Sequence, residues 1–226
     1  MKEKIIDGYP YTLYNHIKFS EKEMLERASE YFDWMNSRRT VREFSNKDFD
    51  VRIIENIIKT ASTAPSGAHK QPWTFCVVKH PAIKKQIREA AEKEEHESYS
   101  NRMGAEWLKD IKSLGTGWQK PFLETAPYLI VVFKRIYELE ENKYKHQNYY
   151  VQESVGIACG FLLAAIHEAG LVALTHTPSP MNFLAKILNR PDNERAFLLV
   201  PVGKPIETFV PKLERKTMED IMVVYG

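Results

Sequence analysis

Three arginines fall within five positions in the run Ser37-Arg38-Arg39-Thr40-Val41-Arg42, alternating with hydroxyls on a segment too short to be a nucleic-acid arm. Guanidinium forks at this spacing suit a phosphate or a carboxylate, because each planar fork can bond two oxygens at once. Further on, Pro65-Ser66-Gly67-Ala68-His69-Lys70-Gln71-Pro72-Trp73 is a flexible polar turn between a helical pattern and a strand, a place where backbone N–H groups can be offered to a ligand. Glu95 and Tyr99 stand four apart and share one face of a helix, so both can fold over the same ligand.

Other chemistries fail on spacing. There is no HExxH, no second histidine four residues after His167 and no cysteine cluster, which excludes the usual zinc patterns. No GxSxG elbow is present for a hydrolase. Neither GxGxxG nor GxxxxGK[ST] occurs, and Gly115-Thr116-Gly117 lacks the third glycine. A phosphate must therefore be held by side chains, with Arg38, Arg39, Arg42 and the late Arg215 as candidates. The net charge of +2, from 32 basic and 30 acidic residues, creates no global field for nucleic acid or an anionic membrane. Cys76 and Cys159 sit in apolar surroundings without CxxC spacing, as free thiols in a reducing compartment do.

The elements that must position these residues are legible in outline. Ser20-Glu21-Lys22-Glu23 fits a capping box and predicts a helix through about Trp34. Asp48 or Asp50 caps the next, where Val51, Ile54, Ile57, Ile58 and Ala61 recur at helical spacing, and Trp73 to Val78 reads as a strand. Pro81 can take the first position of a third helix; its continuation from Arg88 to Glu97 is almost purely charged, so it should be mobile without a ligand. Tyr128 to Phe133 and Phe197 to Val200 are continuous apolar runs expected mid-sheet. Val155 to Gly170 is apolar nearly all round but carries His167 and Glu168, so it reads as a central helix buried in the core or a subunit interface. A chain of 226 residues has room for a substantial core, burying on the order of 70% of its unfolded surface. With no repeat or linker, one α+β domain over residues 1–226 is the economical reading, with an N-terminal extension over 1–19 and a C-terminal arm over 205–226.

Four further stretches complete a pattern: the lid-like run Glu92-Lys93-Glu94-Glu95-His96-Glu97-Ser98-Tyr99-Ser100-Asn101-Arg102-Met103-Gly104, then Trp118-Gln119-Lys120, Leu174-Thr175-His176-Thr177-Pro178 and Leu213-Glu214-Arg215-Lys216. In this order and spacing they resemble the nitroreductase superfamily over roughly residues 30 to 225, and the Glu95, Tyr99, Lys120 set resembles its iodotyrosine deiodinases in particular. The resemblance implies a nitroreductase-like α+β fold with a central mixed sheet flanked by helices, in an intertwined homodimer whose C-terminal arms embrace the partner. It implies FMN as cofactor, held by Arg38, Arg39, Thr40, Arg42 and Arg215, with Pro65, Ser66 and Gly67 lining the ring and Thr175, His176 and Thr177 at the flavin edge. Thr177 would hydrogen-bond the flavin N5 and steer the enzyme to one-electron steps, and the backbone N–H of Ala68 would donate to the substrate phenolate.

The implied activity is reductive dehalogenation of halotyrosines to tyrosine and halide. Two electrons are needed that side chains do not supply, so the cofactor carries the hard step. They would come from an external donor, either reduced nicotinamide through a reductase or another source. The substrate's zwitterion needs an anion and a cation together: Glu95 for the ammonium, Tyr99 and Lys120 for the carboxylate. His176 departs from the all-threonine run of vertebrate members, so a helix-entry histidine stands beside a flavin contact for it, and His69 is open in the same way. Vertebrate members carry a membrane anchor before the catalytic domain. No apolar run of that kind occurs in this sequence, which reads as a soluble cytoplasmic protein with neither membrane nor nucleic-acid partners. The alternatives are a general nitroreductase or flavin reductase working by hydride transfer, and a flavin- or halotyrosine-binding protein without useful turnover.

Overall fold

The computed structural model describes residues 2–139 and 144–226. The chain divides between Arg38 and Arg39 into two compact units. In the first, β1 (Glu3–Ile6) and β2 (Tyr9–Thr12) form an antiparallel hairpin with Ile6 opposite Tyr9. Its two-residue turn is Asp7-Gly8, with φ of 49° and 83°; two successive positive φ values match the right-handed twist of the strands, and Asp-Gly tolerates both. Helix α1 (Glu21–Ser37) starts at the expected capping box, where Glu23 accepts from the Ser20 N–H at 2.8 Å and donates its own N–H to Ser20 Oγ at 3.3 Å. No residue of α1 is buried.

In the second unit, α2 (Val51–Ser62) is capped by Asp50, whose side chain accepts from the Arg52 N–H at 2.9 Å. Then come β3 (Trp73–Val78), α3 (Pro81–Glu97), α4 (Ala105–Lys112), α5 (Phe122–Thr125), β4 (Tyr128–Arg135), β5 (Tyr137–Leu139), β6 (Lys145–Gln147), α6 (Val151–Glu168), β7 (Val172–Ala173), α7 (Asn182–Ile187), β8 (Glu194–Gly203) and α8 (Met218–Ile221). Pro81 opens α3 as expected. The four-stranded sheet runs β3-β4-β8-β7, and all its ladders are antiparallel. The parallel element of the expected mixed sheet is a single bridge, Thr40 to Ala173, at the β7 edge.

Both apolar runs expected mid-sheet are there, and their period of two divides the core. Tyr128, Ile130 and Val132 of β4 face Ile54, Ile57 and Ala61 of α2 and Val155, Leu162 and Ile166 of α6. Leu129, Val131 and Phe133 face the other way, onto Ile87 and Ala91 of α3, Phe122 and Leu123 of α5 and Leu184 of α7. Helix α6 begins four residues before the expected Val155 and ends at Glu168, two residues short of the expected Gly170, whose φ of 70° lets the Leu171 N–H reach back to the Ile166 carbonyl at 3.1 Å. Its outward side stays apolar: Ile157 is 42% exposed and Phe161 39%. Beyond Gly203 the chain is largely exposed as far as Gly226, with only the short capped α8. Among the described residues, no helix is long and apolar enough to cross a membrane.

Candidate functional site

The arginine run leads directly along the sheet edge. The Val41 N–H donates to the Ala173 carbonyl at 3.2 Å beside the Thr40–Ala173 bridge, so Arg39, Thr40 and Arg42 lie next to the chain that continues into Thr175, His176 and Thr177. That continuation is bonded to β8, the His176 N–H donating to the Leu199 carbonyl at 2.8 Å and the His176 carbonyl accepting from the Leu199 N–H at 3.0 Å. The strand alternation therefore persists past β7. Thr175 and Thr177 are exposed together on one side, and His176, only 6% exposed, turns inward, edge-on to the Phe122 ring with centroids 5.8 Å apart. α7 starts at Asn182, five residues beyond Thr177.

The 65–73 turn tightens into a short 3-10 turn at Gly67–His69. Ala68, His69 and Gln71 all hold left-handed φ near 50°, a strained conformation for non-glycine residues that is fixed here by the Ser66 side chain accepting from the Gln71 N–H at 2.9 Å. Gly67 donates its N–H to Ser154 Oγ of α6 at 3.3 Å. Pro65 and Ala68 are exposed, while Ser66 and Gly67 are half-buried against α6. A Cβ on Gly67 would stand 2.8 Å from the Tyr150 ring and 2.9 Å from the Tyr149 carbonyl oxygen.

Glu95, Tyr99 and Lys120 come together. α3 runs unbroken to Glu97, and a π turn over Ser98–Arg102 carries Tyr99. Lys120 Nζ lies 3.2 Å from Glu95 Oε2, donates to the Gly117 carbonyl at 2.6 Å and sits 5.7 Å from the Tyr99 ring centroid. Both charged side chains are buried, Glu95 at 9% and Lys120 at 3% exposure. The charged half of α3, with its thin apolar face, is thus tied down by polar contacts: Arg102 joins Glu94 at 2.9 Å and donates to the Ser179 carbonyl at 2.8 Å, and Glu92 accepts from the Lys120 N–H at 2.7 Å.

Burial dominates the electrostatics of this cluster. It pushes the Lys120 ammonium below its ordinary pKa in spite of Glu95, pushes the Tyr99 hydroxyl up, and lowers Arg42. The Arg42 charge is felt at Lys120, Tyr99 and His176, which links the arginine run to the clamp. Burial, with Lys120 and Arg42 nearby, holds the His176 imidazole down to about 3, so the ring is neutral at physiological pH. The unfolded chain binds this proton near pH 6.5 and the folded chain does not, so stability is full above that value and falls as pH drops toward 3. Denaturant unfolding at pH 7, 6 and 5 should show a decline of up to about 1.4 kcal/mol per pH unit in the parent that is absent from His176→Gln; equal slopes would mean that the histidine is protonated in the fold.

Arg215 lies in the exposed C-terminal run. Arg38 closes the N-terminal unit. The residues not anticipated are Glu92, within the lid run but assigned no role, and Thr116, which hydrogen-bonds Tyr99 and lies 3.4 Å from Lys120 Nζ. No His, Cys, Asp or Glu grouping among the described residues could hold a metal.

Residues 35–204 match the nitroreductase family. The chain is 65% identical over 213 residues to an iodotyrosine deiodinase of Haliscomenobacter hydrossis, covering 94% of this chain and 96% of that protein. It is 47% identical over 212 residues to iodotyrosine deiodinase 1 of Homo sapiens, covering 93% of this chain and 73% of that one. A crystal structure of oxidized iodotyrosine deiodinase bound to FMN and 3-iodo-L-tyrosine superimposes with a TM-score of 0.74 at 34% identity, over 87% of this chain and 98% of that chain. The chain therefore belongs to the nitroreductase family, among the iodotyrosine deiodinases.

Proposed function

We propose that this protein reductively dehalogenates halotyrosines with FMN, releasing tyrosine and halide. The observation that carries the reading is the buried Glu95–Lys120 pair beside Tyr99, an anion and a cation presented together at the same place. Nitroaromatics and quinones, the substrates of the hydride-transfer alternative, have no zwitterion to use it.

The donor set fits the cofactor. Arg39 and Arg42 suit a single phosphate, with Arg215 and Arg38 as further candidates; Thr40 lies between them, and the outward hydroxyls of Thr175 and Thr177 suit the polar edge of a flavin. Pro65, Ser66 and Gly67 would flank the ring. When bound, FMN supplies the two electrons that, with one proton, replace the carbon–halogen bond by carbon–hydrogen. The chain's residues orient the substrate: the Ala68 N–H donates to its phenolate, Glu95 accepts from its ammonium, and Lys120 and Tyr99 donate to its carboxylate. The closed lid excludes water. Thr177 would donate to the flavin N5 and so favour single-electron chemistry, with Thr175 and His176 as the neighbouring alternatives; the inward turn of His176 makes it the weaker of the two.

The apolar outward side of α6, with Ile157 and Phe161, suits a symmetric partner in a homodimer. We read residues 1–226 as one functional domain whose 1–19 extension and 205–226 arm serve that dimer, fed by an external electron donor in the cytoplasm, where the free Cys76 and Cys159 are stable.

Thr177→Ala tests the division of labour. Tyrosine release from iodotyrosine under a chemical reductant should slow by about 2- to 13-fold, the value of one neutral hydrogen bond, while iodotyrosine affinity stays within twofold. An equally fast variant would make Thr177 a structural residue.

A further inference from the structure

Lys120 reaches Glu95 from a segment that has few apolar anchors of its own: Leu114 to Gln119 is turn and coil, and Trp118 is 38% exposed. A long flexible side chain is a precise ligand only if its own backbone is fixed, and that backbone is held from α3. Glu92 Oε1 accepts from the Lys120 N–H at 2.7 Å, and the same oxygen accepts from Arg88 Nε at 2.8 Å. Arg88 in turn reaches Glu124 Oε1 of α5 at 3.2 Å, and α5 begins where the Lys120 carbonyl accepts from the Leu123 N–H at 3.0 Å. Glu92 and Glu95 are three apart on one helix face, so α3 meets Lys120 twice: at the backbone through Glu92 and at the ammonium through Glu95. The Glu92 side chain is only 17% exposed, where an acceptor of this kind holds its donor firmly.

We infer that Glu92 is a positioning residue for the substrate clamp, pinning the Lys120 backbone to α3 so that the ammonium group falls against Glu95. It touches neither substrate nor cofactor. The inference rests on the reading of Lys120 as a substrate ligand, and the experiment separates the two.

Hydrogen exchange at the Lys120 amide, in FMN-loaded protein saturated with 3-iodotyrosine, reads the pin directly. Glu92→Ala should speed that exchange by about 10- to 150-fold, the range for losing a hydrogen bond to a charged acceptor. The same variant should weaken 3-iodotyrosine binding at least tenfold, leaving FMN content and affinity for 2-iodophenol, which has no zwitterion, within twofold. Glu92→Gln keeps an acceptor of the same shape and should recover most of both effects. Arg88→Ala removes the carboxylate's other partner but leaves the Lys120 bond, and should resemble the parent. Unchanged exchange in Glu92→Ala overturns the inference, as does a parallel loss of FMN or of 2-iodophenol binding. Should exchange rise as expected while Lys120→Ala binds 3-iodotyrosine as tightly as the parent, the pin stands and the clamp reading falls.

Discussion

Lys120→Ala should weaken 3-iodotyrosine binding by about 10- to 150-fold, the value of one hydrogen bond to a charged group at roughly 1.5 to 3 kcal/mol, with FMN content unchanged. Glu95→Gln should do the same from the other side of the pair. Each single change also strands a buried charge: without Lys120, the Glu95 carboxylate has lost the cation at 3.2 Å in a site 9% exposed. Breaking a buried pair by removing one member costs about 3 to 5 kcal/mol, while removing both is often nearly neutral. The double variant Glu95→Gln with Lys120→Met should therefore regain much of the stability lost by either single variant and none of the affinity. Quenching of flavin fluorescence gives the affinities and denaturant unfolding the stabilities. Parent-like affinity in both single variants would return the pair to a purely structural role.

The second large effect is expected at Gly67. Alanine there places a methyl group 2.8 Å from the Tyr150 ring and 2.9 Å from the Tyr149 carbonyl. A side chain could yield, but the carbonyl belongs to the chain entering α6 and cannot move without disturbing that helix start. The turn must shift instead, losing the Gly67 bond to Ser154 and carrying Ser66 and Ala68 with it. Overpacking of this kind costs about 1 to 3 kcal/mol. The purified Gly67→Ala protein should be largely colourless, and any dehalogenation should fall with the flavin-to-protein ratio read by absorbance. Full flavin occupancy would show that the ring does not rest on this turn.

Much of the scaffold was legible because its signals are local. A capping box at Ser20, a cap at Asp50, a proline opening α3 and two continuous apolar strands depend on neighbours in sequence, and each stands where expected. The β1–β2 hairpin leaves a weak trace in the sequence although Asp7-Gly8 is a strong turn pair, because the flanking strands are only four residues long and exposed. The site was legible in its residue types and less so in its geometry. The meeting of Glu95 with Lys120 followed from the family pattern, while Glu92 reaching the Lys120 backbone 28 positions away leaves no mark in spacing. His176 is the instructive case. Leu174 in, Thr175 out, His176 in and Thr177 out is a strand alternation already present in the residue types, yet a polar histidine between two threonines leaves a helix-entry residue and a flavin contact equally open. In the fold its ring packs edge-on to Phe122, on the side away from the two threonine hydroxyls.

This chain is expected to remove halogen from tyrosine with electrons held by its flavin. The most direct test is a single turnover: the FMN-loaded protein is reduced under anaerobic conditions, mixed with 3-iodotyrosine, and followed by flavin absorbance with product quantified by chromatography. The flavin should reoxidise as one tyrosine and one iodide form per two electrons. A flavin that stays reduced with 3-iodotyrosine bound and intact would rule out dehalogenation and leave a protein that binds halotyrosine without transforming it.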